Sequence, residues 1–202
     1  MKQTLEKLAN NQYSYHYDEP LCFSKLEKVM FDFMIEMNND HIRDIVYLCI
    51  GTDRATGDCL GPLVGTRFKS LSPYAHIYGT LESPTHATNL SDTLVAINNS
   101  FNNPLIIAID ACLGNADRIG FINVKRGTLK PGTALKKVLP EVGDFHVSAI
   151  VNVAGFLEHM VLQNTRLHIV YRMSDIIAKS LYLANYRFER YKRESLKTSA
   201  IY

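Results

Sequence analysis

Two short apolar runs constrain the fold of this chain more than any other feature of its sequence. Residues 45–50 read IVYLCI and residues 105–109 read LIIAI. A strand with one face in water alternates apolar and polar residues, whereas a strand covered on both faces is apolar throughout. The two runs therefore predict buried strands in the middle of a parallel sheet, each followed by a segment that contains glycine or aspartate.

Strands and helices alternate along most of the chain. The residue patterns predict strands near 45–50, 75–81, 104–110, 119–124 and 166–172, and helices near 24–38, 61–70, 88–100, 145–162 and 174–194. This alternation favours right-handed crossovers and a three-layer α/β/α sandwich with a mostly parallel sheet. The third and fourth strands are too close in sequence for an intervening helix, so a hairpin or an irregular connection is expected between them.

The length and composition fit a single α/β domain over residues 1–202. A chain of 202 residues with 47% hydrophobic residues can bury one full-size core. Residues 1–23 are polar and are predicted to form an extended amino-terminal arm. No segment reaches the roughly 18 apolar residues of a membrane helix, and the amino terminus lacks the apolar region of a signal peptide. We therefore expect a cytoplasmic protein without a membrane partner.

The charge and the cysteines exclude further classes of function. A formal charge of +2 is too small an excess to predict nucleic-acid binding. The four cysteines are widely spaced and form no CxxC pair, so we expect reduced thiols rather than disulfides or a zinc knuckle. Cys59 and Cys112 lie close to aspartates, but neither has a neighbouring histidine in sequence that would activate a catalytic thiol.

Polar side chains follow the first three predicted strands. Asp53 and Asp58 come after the first strand, Glu82 and His86 after the second, and Asp110 ends the third. The carboxyl ends of parallel strands share one edge of the sheet, where open α/β folds bind their ligands. Asp110 is the most informative of the five because it ends a strand that is covered on both faces. Burial of a charge there has to be offset by hydrogen bonds, a cation or a shared proton.

The aspartates also have ordinary structural explanations. Asp58 suits the cap of a helix that begins near Leu60, and Asp53 suits a turn. Asp110 can accept hydrogen bonds from nearby backbone N–H groups. Only their joint position at one edge of the sheet favours a functional interpretation.

Three chemistries suit this arrangement. Two carboxylates that share a proton can activate a water and protonate a leaving amide, as in aspartic proteolysis. Alternatively, Asp58 and Asp110 bind a divalent metal together with His146, which lies at the start of the predicted helix 145–162. The third is a phosphate site at the glycines before the second helix. Their spacing matches no phosphate-binding motif, and carboxylates repel phosphate, so this chemistry is the least favoured.

Four segments together resemble one protein family. They are IGTDRATGDCLGPLVG, YGTLESPTHATNL, LIIAIDACLG and GTLKPGTALKKVLPEVGDFHVSAIVNVAGF. In this order they resemble the YyaC family of sporulation proteins, over roughly residues 45–185. That family is related to the germination protease of spore-forming bacteria and to the hydrogenase maturation proteases. The resemblance implies a phosphorylase/hydrolase-like, hydrogenase maturation protease-like α/β/α sandwich.

The resemblance also implies site residues. The germination protease is an atypical aspartic peptidase whose catalytic aspartates lie in segments of the form PDxLGP and VDAL. The matching segments here are GDCLGP and IDACLG, which implies catalytic Asp58 and Asp110 and no cofactor. The hydrogenase maturation proteases place comparable acids and a histidine against nickel, which implies the alternative of a divalent metal at Asp58, Asp110 and His146. Substrate-binding or supporting roles then fall to Asp53, Glu82, His86 and His146.

The partners implied by the resemblance are protein or peptide substrates, with spore proteins as candidates in the forespore or spore interior. The germination protease is longer and is made as a zymogen, whereas this chain shows no comparable propeptide. A non-catalytic regulatory or binding protein on a protease fold is therefore a third alternative. The arm and the basic last helix offer surface for a homo-oligomer, which the sequence leaves open.

Overall fold

The computed structural model describes residues 11–39, 42–132 and 139–199, with side chains up to residue 195. Strands β1 to β6 are Gln12–His16, Ile45–Cys49, His76–Tyr78, Leu105–Gly114, Phe121–Arg126 and Phe145–Val153. Helices α1 to α5 are Cys22–Met37, Leu60–Leu71, Leu90–Ser100, Glu158–Gln163 and Leu167–Ser199. Within these residues, none of the helices has the length and apolarity that a membrane span requires.

The six strands form one sheet in the order β1-β5-β6-β4-β2-β3. The four strands from β6 to β3 are parallel to one another, whereas β5 pairs antiparallel with β6 and β1 pairs antiparallel with β5. Helices α1, α2 and α5 cover one face, and α3 covers part of the other. The predicted α/β/α sandwich with a mostly parallel sheet is thereby confirmed.

The two apolar runs lie at the centre of this sheet, as predicted. All five residues of β2 are buried. In β4, Ile107 and Ile109 pack in the larger core cluster with α1, α2 and α5, whereas Ala108 packs in a smaller cluster with Leu90 and Ile97 of α3. Successive side chains of a strand point to opposite faces, so a sheet with helices on both faces needs apolar residues at every position.

The prediction of a helix over 145–162 is wrong. Residues Phe145–Val153 form β6, and only Glu158–Gln163 are helical. β6 lies between β4 and β5, so of the two alternatives predicted for the link between β4 and β5, the irregular connection is correct and the hairpin does not form. An apolar run of this length fits a buried strand or a buried helix equally well, and the β-branched residues of FHVSAIVNV favour the strand.

The predicted strand at 166–172 is also wrong, because residues 167–172 belong to the first turns of α5. Buried apolar residues of α5 recur every three or four positions, as in an amphipathic helix; among them are Val170, Met173, Ile177, Leu181, Ala184 and Phe188. At the other end of the chain, residues 12–16 of the predicted arm form β1 and pair with β5 along the edge of the sheet. Residues 1–10 lie outside the described part.

Helix α2 packs so closely on the sheet that one of its positions has no room for a side chain. A Cβ atom on Gly65 would lie 1.9 Å from the carbonyl oxygen of Gly79. Alanine normally stabilises a helix by about 1 kcal/mol relative to glycine, whereas overpacking costs about 1–3 kcal/mol. The clash is with backbone, which cannot rotate away, so the upper end of this cost applies. After the helix gain is subtracted, we expect Gly65→Ala to lower the free energy of unfolding by about 2 kcal/mol, measured by urea denaturation.

The control for this substitution is Lys69→Ala on the exposed side of the same helix. Exposed substitutions of this kind change the free energy of unfolding by no more than about 0.5 kcal/mol. A Gly65→Ala variant as stable as the wild-type protein would show that α2 does not contact the Gly79 backbone in solution.

Candidate active site

Asp110 lies on β4 at the position where β4 loses one of its two neighbours. β2 pairs with β4 only as far as Ile109, whereas β6 continues and pairs Ser148 with Asp110. The sequence predicted that Asp110 ends its strand, but Asp110 is the sixth of the ten residues of β4. Its side chain is only 7% exposed.

Asp58 lies on a 3₁₀ turn, Gly57–Cys59, that connects the loop after β2 to α2. The backbone of this loop closes on itself, because Asp58 N–H donates to the Ala55 carbonyl at 3.0 Å and the Asp58 carbonyl accepts from Thr52 N–H at 3.2 Å. Asp58 is the cap residue of neither helical segment, because Thr56 precedes the 3₁₀ turn and Cys59 precedes α2. Helix capping, its alternative explanation, therefore does not account for this carboxyl group.

The glycines of the loop hold the turn against the end of β2. Gly51 has a φ of +140°, and a Cβ atom there would lie 2.0 Å from the carbonyl oxygen of Asp58. A Cβ atom on Gly61 would lie 2.0 Å from the carbonyl oxygen of Ile50. The protein's own carbonyl groups thus fill the space that these glycines leave. The glycines therefore position Asp58. They leave no space next to their backbone N–H groups that would favour a phosphate site.

The two aspartates line one cleft of about 430 Å³. One wall is the loop after β2, with Thr52, Arg54 and Ala55, and another is the part of β4 that continues past β2. Leu129 and Lys130 come from the segment after β5, and the last wall is α4, with Glu158, His159, Leu162 and Gln163. The predicted convergence of Asp58 and Asp110 at one edge of the sheet is thus what the structure contains.

A larger cavity of about 640 Å³ lies at the opposite edge of the sheet, where β2 and β3 begin. Residues Ile45 and His76 line it, together with side chains of α5. It contains neither Asp58 nor Asp110, and in open α/β folds ligands bind at the carboxyl ends of the strands. The smaller cleft is therefore the candidate active site.

Burial sets the protonation of the two acids. Desolvation raises the pKa of Asp110 well above its usual range, and the charge of Asp58 raises it further, against a smaller opposing effect of the Ala111 N–H. Desolvation also raises the pKa of Asp58, but less strongly, because a Thr52 hydrogen bond and His86 oppose it. Asp58 therefore ionises first, beside a neutral Asp110. Between the two ionisations the cleft holds one carboxylate, at Asp58, and one carboxylic acid, at Asp110.

The thiols near the cleft do not behave as nucleophiles. All four cysteines of the chain are free. Burial raises the pKa of Cys59 to about 11 and that of Cys112 to about 12, with the neighbouring aspartates adding to each shift. A thiolate is the reactive form of cysteine, and neither residue is a thiolate at neutral pH.

The other predicted site residues lie outside the lining of the cleft. Asp53 and Glu82 are exposed. His86 is near enough to Asp58 to lower its pKa, and its Nδ1 atom lies 2.9 Å from the Thr88 hydroxyl. Its position therefore suits an indirect role through Asp58 rather than contact with a bound molecule.

The prediction that His146 lies at the start of a helix is wrong. His146 lies on β6, where it pairs with Ala108. Its Nδ1 atom lies 2.9 Å from the carbonyl oxygen of Gly127, and burial lowers its pKa. His146 lies two residues before Ser148, the strand partner of Asp110. Two residues of a strand span about 7 Å, so His146 is displaced from the position opposite Asp110 by that distance. Among the described residues, no three histidines, cysteines or acids lie close enough to hold a metal ion. The metal site of Asp58, Asp110 and His146 is therefore not brought together.

The cleft contains charged residues that the sequence did not indicate, with Arg54, Lys130, Glu158 and His159 among them. Glu158 and His159 were hidden by the wrong prediction of one helix over 145–162. Gly155, which has a φ of +143°, was the available signal that β6 ends before α4 begins. Phe156, just before α4, is 88% exposed, so this wall also presents an apolar surface to solvent.

Comparison with known proteins relates most of the chain to one family. The family described as "Protein of unknown function (DUF1256)" matches residues 14–180. A protein of Bacillus subtilis (strain 168), described as "Uncharacterized protein YyaC", is 49% identical over 144 residues. That match covers 71% of this chain and 70% of the relative.

The buried acid should make the wild-type protein less stable as the pH rises. At a pH between the pKa of Asp110 in the unfolded chain and its higher pKa in the folded protein, Asp110 is ionised when unfolded and protonated when folded. Its contribution to the free energy of unfolding therefore falls as the pH rises through this range. We expect Asp110→Asn to raise the melting temperature at pH 7, with a difference that shrinks toward pH 4, measured by scanning calorimetry.

Asp32→Asn is the matched control, because Asp32 lies on the exposed surface of α1 and pairs with Lys28 at 3.7 Å. It should give no gain at pH 7. A lower melting temperature of Asp110→Asn than of the wild-type protein at pH 7 would instead show that Asp110 is an ionised acceptor that holds the fold together.

Proposed function

The chain belongs to the DUF1256 family, and we propose that it is an aspartic-type peptide hydrolase in which Asp58 and Asp110 act on a water molecule. The observation that supports this proposal most directly is that two acids with different protonation line one cleft. A base and an acid are both needed to hydrolyse an amide, and neighbouring carboxyl groups with separated pKa values supply both.

The chemistry follows from the protonation of the pair. The Asp58 carboxylate accepts a proton from water as the water oxygen bonds to the substrate carbonyl carbon. Asp110 donates its proton to the carbonyl oxygen, which gives a neutral tetrahedral intermediate. The proton on Asp58 then passes to the amide nitrogen, the bond between carbon and nitrogen breaks, and the hydroxyl proton returns to Asp110. The acid pair ends in its starting state, and one water is consumed.

The resemblance to the germination protease supports the same two residues, because GDCLGP and IDACLG match its catalytic segments. On that basis we propose protein or peptide substrates, with spore proteins as candidates and the forespore or spore interior as the setting. The metal-dependent alternative has less support, because His146 bonds to Gly127 and lies away from the acid pair. A non-catalytic binding protein is the alternative that the following experiments separate.

Substitution of either acid should slow hydrolysis strongly. We expect Asp58→Asn and Asp110→Asn each to reduce the cleavage rate by ~10²–10⁴-fold, the usual contribution of a general acid or base. The double variant should be little worse than either single one, since the two acids act as a unit. The measurement is incubation with a spore protein extract, followed by mass spectrometry of the new peptide ends.

In this assay Asp32→Asn should cleave at the wild-type rate. Equal cleavage by all variants, with melting temperatures showing folded protein, would mean that the acids are not catalytic. An absence of new peptide ends with the wild-type protein would favour the non-catalytic alternative.

The rate of hydrolysis should have a bell-shaped dependence on pH. The active form has Asp58 ionised and Asp110 protonated, so activity falls below the raised pKa of Asp58 and falls again above the higher pKa of Asp110. Both limbs should therefore lie above the ordinary aspartate value, measured as kcat/KM against pH. A single rising limb up to alkaline pH would contradict Asp110 as the acid.

A further inference from the structure

Strand β4 is longer than its neighbour β2, and this difference leaves part of one side of β4 open. On the β6 side, pairing continues to Gly114, whereas on the β2 side it stops at Ile109. Residues 110–114 therefore have a strand neighbour on one side only. We call this side the open edge of β4.

Only alternate residues of β4 direct their backbone groups to the open edge. The Ile109 carbonyl accepts from Ile50 N–H at 2.7 Å on the β2 side, and the Gly114 carbonyl accepts from Ala154 N–H at 2.8 Å on the β6 side. Odd-numbered residues thus face the position of β2, and even-numbered residues face β6. The pairing of β4 with β6 shifts by one residue after Cys112, and the extra residue lies in β6. The alternation of backbone groups along β4 therefore continues unchanged. Ala111 and Leu113 therefore direct their N–H and C=O groups to the open edge.

Three of these four groups are available for hydrogen bonding. In the part of the chain that the structure describes, no backbone or side-chain hydrogen bond to Leu113 is made from this direction. The Ala111 N–H donates to the carboxyl group of Asp110, so only the carbonyl group of Ala111 is open in the same way. The edge sequence DACLG has no lysine or proline, the residues with which natural sheets discourage strand addition.

The open edge also forms a wall of the cleft that contains the acid pair. Residues 111–113 line this cleft, and across from them lie Thr52, Ala55 and Asp58. A chain that paired with the edge would run between β4 and the loop after β2, with its backbone next to Asp58 and Asp110. An amide bond at that position is what the proposed chemistry needs.

We propose that the substrate binds by strand addition, as an extended polypeptide segment that pairs with the C=O group of Ala111 and with the N–H and C=O groups of Leu113. This inference rests on the proposed function for the chemistry that follows binding. Main-chain pairing gives affinity for any extended sequence, and side chains contribute selectivity at alternate positions. The apolar side chains of Leu129 and Leu162 in the cleft favour apolar residues at those positions.

Strand addition restricts the substrate to segments without secondary structure of their own. A helix or a paired strand has already used the backbone groups that the open edge requires. The protein is therefore selective for extended or unfolded segments of other proteins, and well-folded domains are excluded.

The first experiment measures binding without cleavage. Asp110→Asn protein is incubated with a library of random ten-residue peptides, and a retained peptide is resynthesised with a single N-methyl group at each position in turn. Methylation removes one N–H donor, and the open edge offers two carbonyl acceptors, those of Ala111 and Leu113. Two peptide positions that lie two residues apart should therefore lose at least tenfold in affinity by fluorescence anisotropy, and the position between them at most about threefold.

The second experiment observes the edge itself. The amide proton of Cys112 bonds toward β6 and should exchange slowly with or without peptide, whereas that of Leu113 should exchange at least tenfold more slowly once the peptide is bound. The exchange is followed by NMR. Leu113→Pro, which removes this N–H, should lose binding at least tenfold, and Leu113→Ala is the matched control that keeps it. If Leu113→Pro does not fold, the exchange measurement and the N-methyl series still test whether the peptide pairs with the open edge.

The outcomes separate this inference from the proposed function. Retention of no peptide, a uniform effect of N-methylation, or a Leu113 amide that is already protected in the free protein would overturn strand addition. The last result would show that a second copy or another segment of this chain occupies the edge. An alternating pattern with a peptide that the wild-type protein never cleaves would support strand addition and reject hydrolysis. Cleavage by the wild-type protein without an alternating effect of N-methylation would support hydrolysis and reject strand addition.

Discussion

The burial of Asp110 beside a second carboxyl group is the constraint on which the candidate site depends. A carboxylate removed from water is unstable unless other groups compensate for the lost hydration. The Ala111 N–H compensates only in part, and Asp58 acts in the opposite sense. The proton therefore stays on Asp110, and the charge stays on the less buried Asp58. The different depths of the two side chains make one cleft both acidic and basic.

The unequal lengths of β2 and β4 connect this electrostatic arrangement to the fold. Where β2 stops, its chain turns away through the glycine-rich loop and brings Asp58 back toward β4. β4 continues alone on that side, so the same boundary that buries Asp110 also exposes backbone groups beyond it. The proposed chemistry and the proposed binding edge are thus adjacent because a single strand ends early.

The sequence predicted the centre of this molecule better than its periphery. The runs at β2 and β4 are apolar at every position, which only a strand covered on both faces requires, and the acids after them could therefore be placed at one edge. The segments around His146 and Val170 were assigned to the wrong element, because apolar runs rich in β-branched residues fit buried strands and buried helices alike. Glu158 and His159 were missed for that reason, since their position depends on where β6 ends.

The walls of the cleft differ in how much change they tolerate. The loop that carries Asp58 is packed against backbone atoms at Gly51 and Gly61, so almost any side chain there would displace the acid. Helix α4 is only six residues long, and the exposed Phe156 precedes it. Divergence among relatives should therefore accumulate along α4, which would allow the preferred target of the proposed reaction to change while the acid pair stays the same.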